Sequence, residues 1–410
     1  MDGTVNATST VAIVQDSSPR RAVLKVVALL RGAGVSLDVR GKKVLVKPNL
    51  ALPVPPSVRP ETTDPLVVAA VLEWVKEEGA QEIWVGDAPA WGARARDAFR
   101  VTGLAEVVRD LGVRAVYFDE EPRVEVPVPD AHVFPFLSLP RVVVEADVVV
   151  SVPKMKTSFM QEVTLGIKNL LGCIPFEQRK RFHREIDLGY VLADIARVVR
   201  PGLTIIDGMV AMEGYGPHAG TPKRVNLVIA SDDVVAADAV GAALMGYDPR
   251  ASVATQVAEK DGLGVAHLDQ IRIVGEELSA VASVFKRPVL EFVNPNPNVR
   301  VHAGGICPGC RPRIKVVPPR VEVDKTYAVI IGREPIPLAG ALDADEIWLV
   351  GNCGLRAGMA YLLRRQLSDA PGSKLVGRTK IHVVPGCPPL DWYAEESAFK
   401  ALRASGWMTG

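Results

Sequence analysis

Four of the five cysteines lie beyond residue 300 of this 410-residue chain, as Cys307-Pro308-Gly309-Cys310, Gly351-Asn352-Cys353-Gly354 and Pro385-Gly386-Cys387-Pro388-Pro389. A close pair followed by two single cysteines, with 42 and 33 residues in the gaps, gives four thiolates that only a folded domain can gather. Four thiolates suit an iron–sulfur cluster or zinc, although structural zinc more often takes two close pairs on short knuckles. Disulfides are the competing use. The chain opens Met1-Asp2-Gly3-Thr4-Val5-Asn6-Ala7 without a basic stretch leading into an apolar one, so a reducing cytoplasm is expected, which disfavours them. Cys173, in Leu170-Leu171-Gly172-Cys173-Ile174, reads as a small buried side chain.

A second constellation is polar. Lys47-Pro48-Asn49, Gly86-Asp87, Lys154-Met155-Lys156-Thr157, Asp207-Gly208 and Ser231-Asp232-Asp233 each close an apolar run, and in a parallel sheet those tips share one edge. Lys47, Asn49, Lys154, Lys156, Thr157, Asp207 and Asp233 would bind a carboxylate or phosphate there, and Asp87 would move a proton. The ordinary reading makes these residues helix caps and solvated lysines. Lys168-Asn169 sits inside the apolar, glycine-flanked Thr164–Gly172. A lysine so placed must find an anion or lose its proton, which makes Lys168 a candidate base and Asn169 a binding residue beside it. His183, in the basic run Arg179-Lys180-Arg181-Phe182-His183, is a candidate proton carrier or ligand, the plain alternative being a solvated side chain. Glu213 reads as a carboxylate on a glycine-rich loop, Glu213-Gly214-Tyr215-Gly216-Pro217. The glycine spacing is not a dinucleotide fingerprint, so no nicotinamide cofactor is expected.

The elements that would carry these groups alternate. Val11–Val14 and Lys43–Val46 read as strands around a helix near 20–33. Asp64-Pro65 starts a helix that Gly79 ends, and further strands follow at Glu82–Asp87, Arg114–Asp119, Ala146–Pro153, Gly202–Gly208 and Asn226–Asp233. Strands that scarcely alternate imply an α/β fold, a mostly parallel sheet covered by helices on both faces. The cysteines fall in a smaller C-terminal α/β domain, with Cys353 and Cys387 at strand tips. The boundaries read from sequence are a large domain over 1–287, a linker over 288–300 around Asn294-Pro295-Asn296-Pro297, and the cysteine domain over 301–410. Lys plus Arg total 48 against 47 Asp plus Glu, so bulk charge favours neither nucleic acid nor an anionic membrane as partner. No apolar run reaches the ~20 residues of a membrane span.

Two resemblances sharpen these expectations. The order Cys307, Cys310, Cys353 and Gly386-Cys387-Pro388-Pro389 resembles the proximal-cluster pattern of nickel-iron hydrogenase small subunits, which implies one [4Fe-4S] cluster on a flavodoxin-like sheet. From about residue 10 to 285, Lys47-Pro48-Asn49, Thr62-Thr63-Asp64-Pro65, Gly86-Asp87, Val152-Pro153-Lys154-Met155-Lys156-Thr157, Gly166-Ile167-Lys168-Asn169-Leu170-Leu171-Gly172, His183, Asp207-Gly208 and Asp233 through Asp238-Ala239-Val240 resemble the family called domain of unknown function 362. Many of its members carry a ferredoxin-like cluster domain. Here single, widely spaced cysteines replace tandem ones, and Ser158 stands where members commonly have His. The expectation is a redox enzyme or electron-transfer component, its [4Fe-4S] cluster passing electrons to an anionic small molecule in the strand-tip crevice or to a redox partner protein. The alternative is a non-redox isomerase or lyase of an anionic metabolite with a structural metal such as zinc. It is suggested by a looser resemblance of Lys47-Pro48-Asn49, the Asp64-Pro65 helix and Gly86-Asp87 to nickel-dependent lactate racemases.

Overall fold

A computed structural model describes residues 9–57, 60–90, 93–158, 161–185, 188–217, 219–288, 298–303, 324–332, 343–367 and 379–384. The chain divides into two units, one of Met1–Lys180 with Leu188–Val289, the other of Arg181–Asp187 with Leu290–Gly410.

The first unit begins β1 (Ser9–Gln15), α1 (Pro19–Gly32), β2 (Lys43–Pro48), α2 (Pro65–Glu77), β3 (Glu82–Asp87), α3 (Ala95–Val101), α4 (Leu104–Leu111) and β4 (Arg114–Tyr117). A two-stranded ribbon of β5 (Arg123–Pro127) and β6 (Phe136–Pro140) precedes α5 (Arg141–Glu145), β7 (Val148–Val152), β8 (Lys154–Ser158), β9 (Glu162–Thr164) and α6 (Gly166–Asn169). Next come α7 (Phe176–Glu185), whose residues from Arg181 on are assigned to the second unit, α8 (Leu188–Val199), β10 (Leu203–Tyr215), β11 (Ala219–Ser231), α9 (Val234–Leu244), α10 (Val253–Lys260), β12 (Ile271–Gly275) and α11 (Leu278–Val281).

Ten strands form one sheet in the order β12-β1-β11-β10-β7-β2-β3-β4, with β8 and β9 joined beside β10. All neighbours on the main path are parallel except where β11 meets β10 and β1. The β10–β11 pair is one long hairpin, from Thr204↔Ser231 to Tyr215↔Ala219. Glu213-Gly214-Tyr215 therefore belongs to a strand, which corrects the loop expected there; only the residues just beyond turn.

Both faces of the sheet are covered. Ala12 and Val14 join the core under α1 and α2 with Val44, Val46 and Val85, while the alternate residues Val11 and Ile13 are also fully buried. In α1 the buried Ala22, Val23, Val26, Val27 and Leu30 recur at helical spacing, and this stripe packs toward α2. Asp64 caps α2 by accepting from the Leu66 N–H at 2.9 Å, with Pro65 at the first helical position. Gly79, at φ +80°, takes the left-handed conformation that stops the helix.

The second unit holds β13 (Val299–Ala303), β14 (Tyr327–Ile331), β15 (Glu346–Val350), α12 (Gly351–Gln366) and β16 (Lys380–Val384). Its four strands are all parallel, in the order β13-β14-β15-β16. Ile330, Ile347 and Leu349 form its core with Leu362 of α12.

Candidate functional site

Lysine is seldom fully buried, yet three lysines at the carboxyl edge of the large sheet are: Lys47, Lys154 and Lys156 keep 0%, 2% and 1% of their surface. Two are neutralised. Lys47 Nζ lies 2.7 Å from Asp87 Oδ1, and Lys154 Nζ lies 2.8 Å from Asp207 Oδ2. The carboxylates are held in turn. Asp87 Oδ2 accepts the Leu50 N–H at 2.9 Å, while Asp207 accepts the N–H groups of Asp64 at 2.7 Å and Met209 at 2.9 Å. Breaking such a pair by removing one partner costs about 3–5 kcal/mol, since the other charge is left buried alone.

Lys156 and Lys168 have no carboxylate partner among the described residues. Along β8, Lys154, Lys156 and Ser158 point to one face because side chains alternate along a strand. Lys156 Nζ donates to Asn49 Oδ1 and to the Glu61 carbonyl, both at 2.7 Å. Burial, reinforced by the nearby Lys168 charge, draws its pKa down to about 7. Lys168, half-buried on α6, donates to Ser158 Oγ at 2.8 Å, and burial lowers its pKa to about 7 as well. At neutral pH each lysine is thus divided between ammonium and free amine. Together they make a row that can attract an anion and also exchange a proton.

The short α6 presents Lys168 and Asn169 because its start is anchored from a distance. Asp238, in the apolar middle of α9, accepts the Gly166 N–H at 2.5 Å and the Ile167 N–H at 3.0 Å. Burial pushes the Asp238 carboxyl up to about 7 against the pull of those two donors. Asn169 ties the segment to the sheet, donating to the Lys47 carbonyl at 3.1 Å and to Ser151 Oγ at 3.0 Å. The flanking glycines are required by close approach. A Cβ on Gly166 would lie 2.8 Å from Asp238 Oδ1, and one on Gly172 would lie 2.0 Å from Asp87 Oδ1.

The structure thus brings together Lys47, Asn49, Asp87, Lys154, Lys156, Lys168, Asn169 and Asp207 through this network of contacts. Thr157 points to the opposite side of β8 and donates to the Gly214 carbonyl at 2.9 Å. Glu213 lies on β10, within 3.3 Å of both Lys223 and Lys286, which with backbone donation hold its carboxyl below the usual range against the effect of burial. Asp233 does not join the set, which corrects the expectation of five tips on one edge. β11 runs against β10, so its end lies at the opposite edge, where Asp233 caps α9 and accepts from Ser9 Oγ at 2.6 Å. The backbone of His183 is on α7; its side chain lies outside the described residues.

Ser158, which accepts from Lys168, and Asp238, which anchors α6, are neighbours of the site that residue type alone does not single out. For Asp238 a signal exists, a lone charge within Ala236-Ala237-Asp238-Ala239-Val240. A groove of about 600 Å³ between β1, α1 and β12 is lined mainly by apolar groups such as Ile13, Leu29 and Val274. It contains none of the buried lysines, and the chemistry favours the lysine row.

In the second unit, Cys353 lies half-buried in the first turn of α12, directly after β15. Cys307, Cys310 and Cys387 lie outside the described residues. Among the described residues no three His, Cys, Asp or Glu side chains converge as a metal site. Cys173 is buried as expected, its thiol pushed up to about 11 by burial, which keeps it unreactive. No helix among the described residues is long and apolar enough to cross a membrane.

Comparison with known proteins finds likenesses over part of the chain. A curated relative, a thylakoid-associated protein of Synechocystis sp., is 36% identical over 225 residues, covering 54% of this chain and 68% of that protein. Among solved structures, the lactate racemase apoprotein of Thermoanaerobacterium thermosaccharolyticum matches at 13% identity and a TM-score of 0.35, over 51% of this chain and 52% of that one. A protein from Thermotoga maritima matches at 12% identity and a TM-score of 0.35, over 60% of each chain. The chain therefore spans between half and two thirds of the length of these two solved structures. The family described as domain of unknown function (DUF362) matches residues 44–243, which include every residue of the lysine network. With that match and that relative, the chain belongs to the DUF362 family.

Proposed function

We propose that this protein is a cytoplasmic iron–sulfur protein, a redox enzyme or electron-transfer component, whose large unit binds an anionic small molecule at the lysine row. The observation that carries the metal half is the all-parallel order β13-β14-β15-β16. Cys307 and Cys310 follow β13 by four and seven residues, and Cys353 and Cys387 follow β15 and β16 by three each. Cys353 is held in the first turn of α12, and with neighbouring strands about 4.8 Å apart and at most about 3.5 Å per residue of extended chain, the offsets after β13 and β16 would be long enough for the other three thiolates to approach it. A [4Fe-4S] cluster there would supply a one-electron carrier. Anaerobic purification followed by iron and acid-labile sulfide analysis, with an EPR spectrum after dithionite, tests the reading. Stoichiometric zinc in an iron-free protein ends it.

A second reading, favoured by Lys156 and Lys168 lacking carboxylate partners among the described residues, is a non-redox isomerase or lyase of an anionic metabolite with a structural metal in the second unit. Lys168 would then carry the proton. Cys353→Ser separates the two: loss of all electron transfer supports the first, while lowered stability with residual turnover supports the second. The anion site is common to both.

A further inference from the structure

The lysine row has a chemistry more specific than charge, and a ligand class can be assigned to it on the proposal that it binds an anion. Lys156 spends two of its three donors on Asn49 and the Glu61 carbonyl, which leaves one. Directly across from it in the β8–β9 register is Thr164, 5% exposed, whose hydroxyl has no hydrogen-bond partner among the described residues. Opposed residues of an antiparallel pair project to the same face with Cβ atoms roughly 5 Å apart, so the ammonium and the hydroxyl can serve one ligand. Ser158 lies two residues further along that face, roughly 7 Å on, and Lys168 ends on its hydroxyl at 2.8 Å. Lys168 is partly exposed as a residue and has no other hydrogen-bond partner among the described residues.

A phosphate or sulfate would satisfy the donors but give that nitrogen nothing to attack. A ligand with a carboxylate next to an electrophilic carbon uses both ends of the row. We infer that Lys168 captures the carbonyl carbon of a 2-oxo carboxylate as an imine while Lys156 and Thr164 hold its carboxylate. The amine nitrogen adds to the carbonyl carbon as the C=O π bond opens, and the two amine protons leave with the oxygen as water. Ser158 relays one of those protons. No oxidant or reductant enters. A neighbouring cation and a desolvated setting are what keep a lysine nucleophilic near neutral pH.

Pyruvate added to the full chain with borohydride would fix the imine as a stable amine, read by intact mass and peptide mapping. A single saturable adduct on Lys168 is expected, absent with acetone, which has the carbonyl without the carboxylate. Lys168→Arg should abolish it. Lys156→Met should slow it by about tenfold or more, the loss of a charge-assisted hydrogen bond. Ser158→Ala, which changes less, should slow trapping while leaving pyruvate affinity unchanged, and far-UV circular dichroism checks the fold of each variant. Heat of pyruvate binding without an adduct on Lys168 overturns the imine and leaves the anion site intact. Neither heat nor adduct overturns both.

Discussion

Gly172 lies so close over the Lys47–Asp87 ion pair that a Cβ would fall 2.0 Å from Asp87 Oδ1 and 2.9 Å from Lys47 Nζ. Gly172→Ala should therefore destabilise the chain by about 3 kcal/mol, overpacking combined with a disturbed buried pair. Urea unfolding measures it. Gly32→Ala, where nothing lies within 4 Å of the added carbon, should change stability by less than about 1 kcal/mol.

The ion pair itself is open to a double-mutant cycle. Asp87→Asn and Lys47→Met should each cost about 3–5 kcal/mol, because each strands a buried group. The double variant should cost clearly less than the sum, and additive effects would mean that the two residues do not act as a pair.

Stability should pass through a minimum near neutral pH from three groups. Asp238 has a folded pKa of about 7, above its unfolded value, so the folded state holds the extra proton and stability falls as pH rises from about 4 to 7. Lys156 and Lys168, at about 7, lie below their unfolded values, so stability rises from about pH 7 to 10. Urea midpoints across that range test the shape. Asp238→Asn should flatten the acid limb and Lys168→Met the alkaline limb.

Lys168 should acetylate ahead of surface lysines such as Lys260 when acetic anhydride is added near pH 7. About half of Lys168 is free amine there, against roughly 0.1% or less for an ordinary lysine. Peptide mapping reads both, and pyruvate should protect Lys168.

Asp233→Ala should cost about 1–2 kcal/mol through the lost cap of α9 and leave pyruvate binding unchanged. A drop in pyruvate affinity would contradict its position at the opposite edge.

Much of this site is legible in the sequence, for identifiable reasons. Lys47, Asp87, Lys154 and Asp207 each end an apolar run, and parallel strands carry run-ends to one edge. The same rule misassigns Asp233, because the apolar run before it says nothing of strand direction, and β11 is the strand that reverses. Gly166 and Gly172 are visible as flanks of Lys168-Asn169, but the carboxylates that exclude a side chain there lie 72 and 85 positions away in sequence, at Asp238 and Asp87. Thr164 gives no signal, since its importance comes from a cross-strand register set by a three-residue strand.

The position of β1 matters during synthesis. It is hydrogen-bonded to β11 on one side and to β12 on the other, so the earliest of these strands to leave the ribosome waits for residue 275 before both its edges are occupied. Until then Val11, Ala12 and Ile13 form a short, uncharged extended segment with open backbone groups, the kind that chaperones hold and that other nascent chains can pair with. Slow translation through β10 and β11 would lengthen that interval, and yield in a heterologous host should follow chaperone supply more closely than the stability of the finished protein.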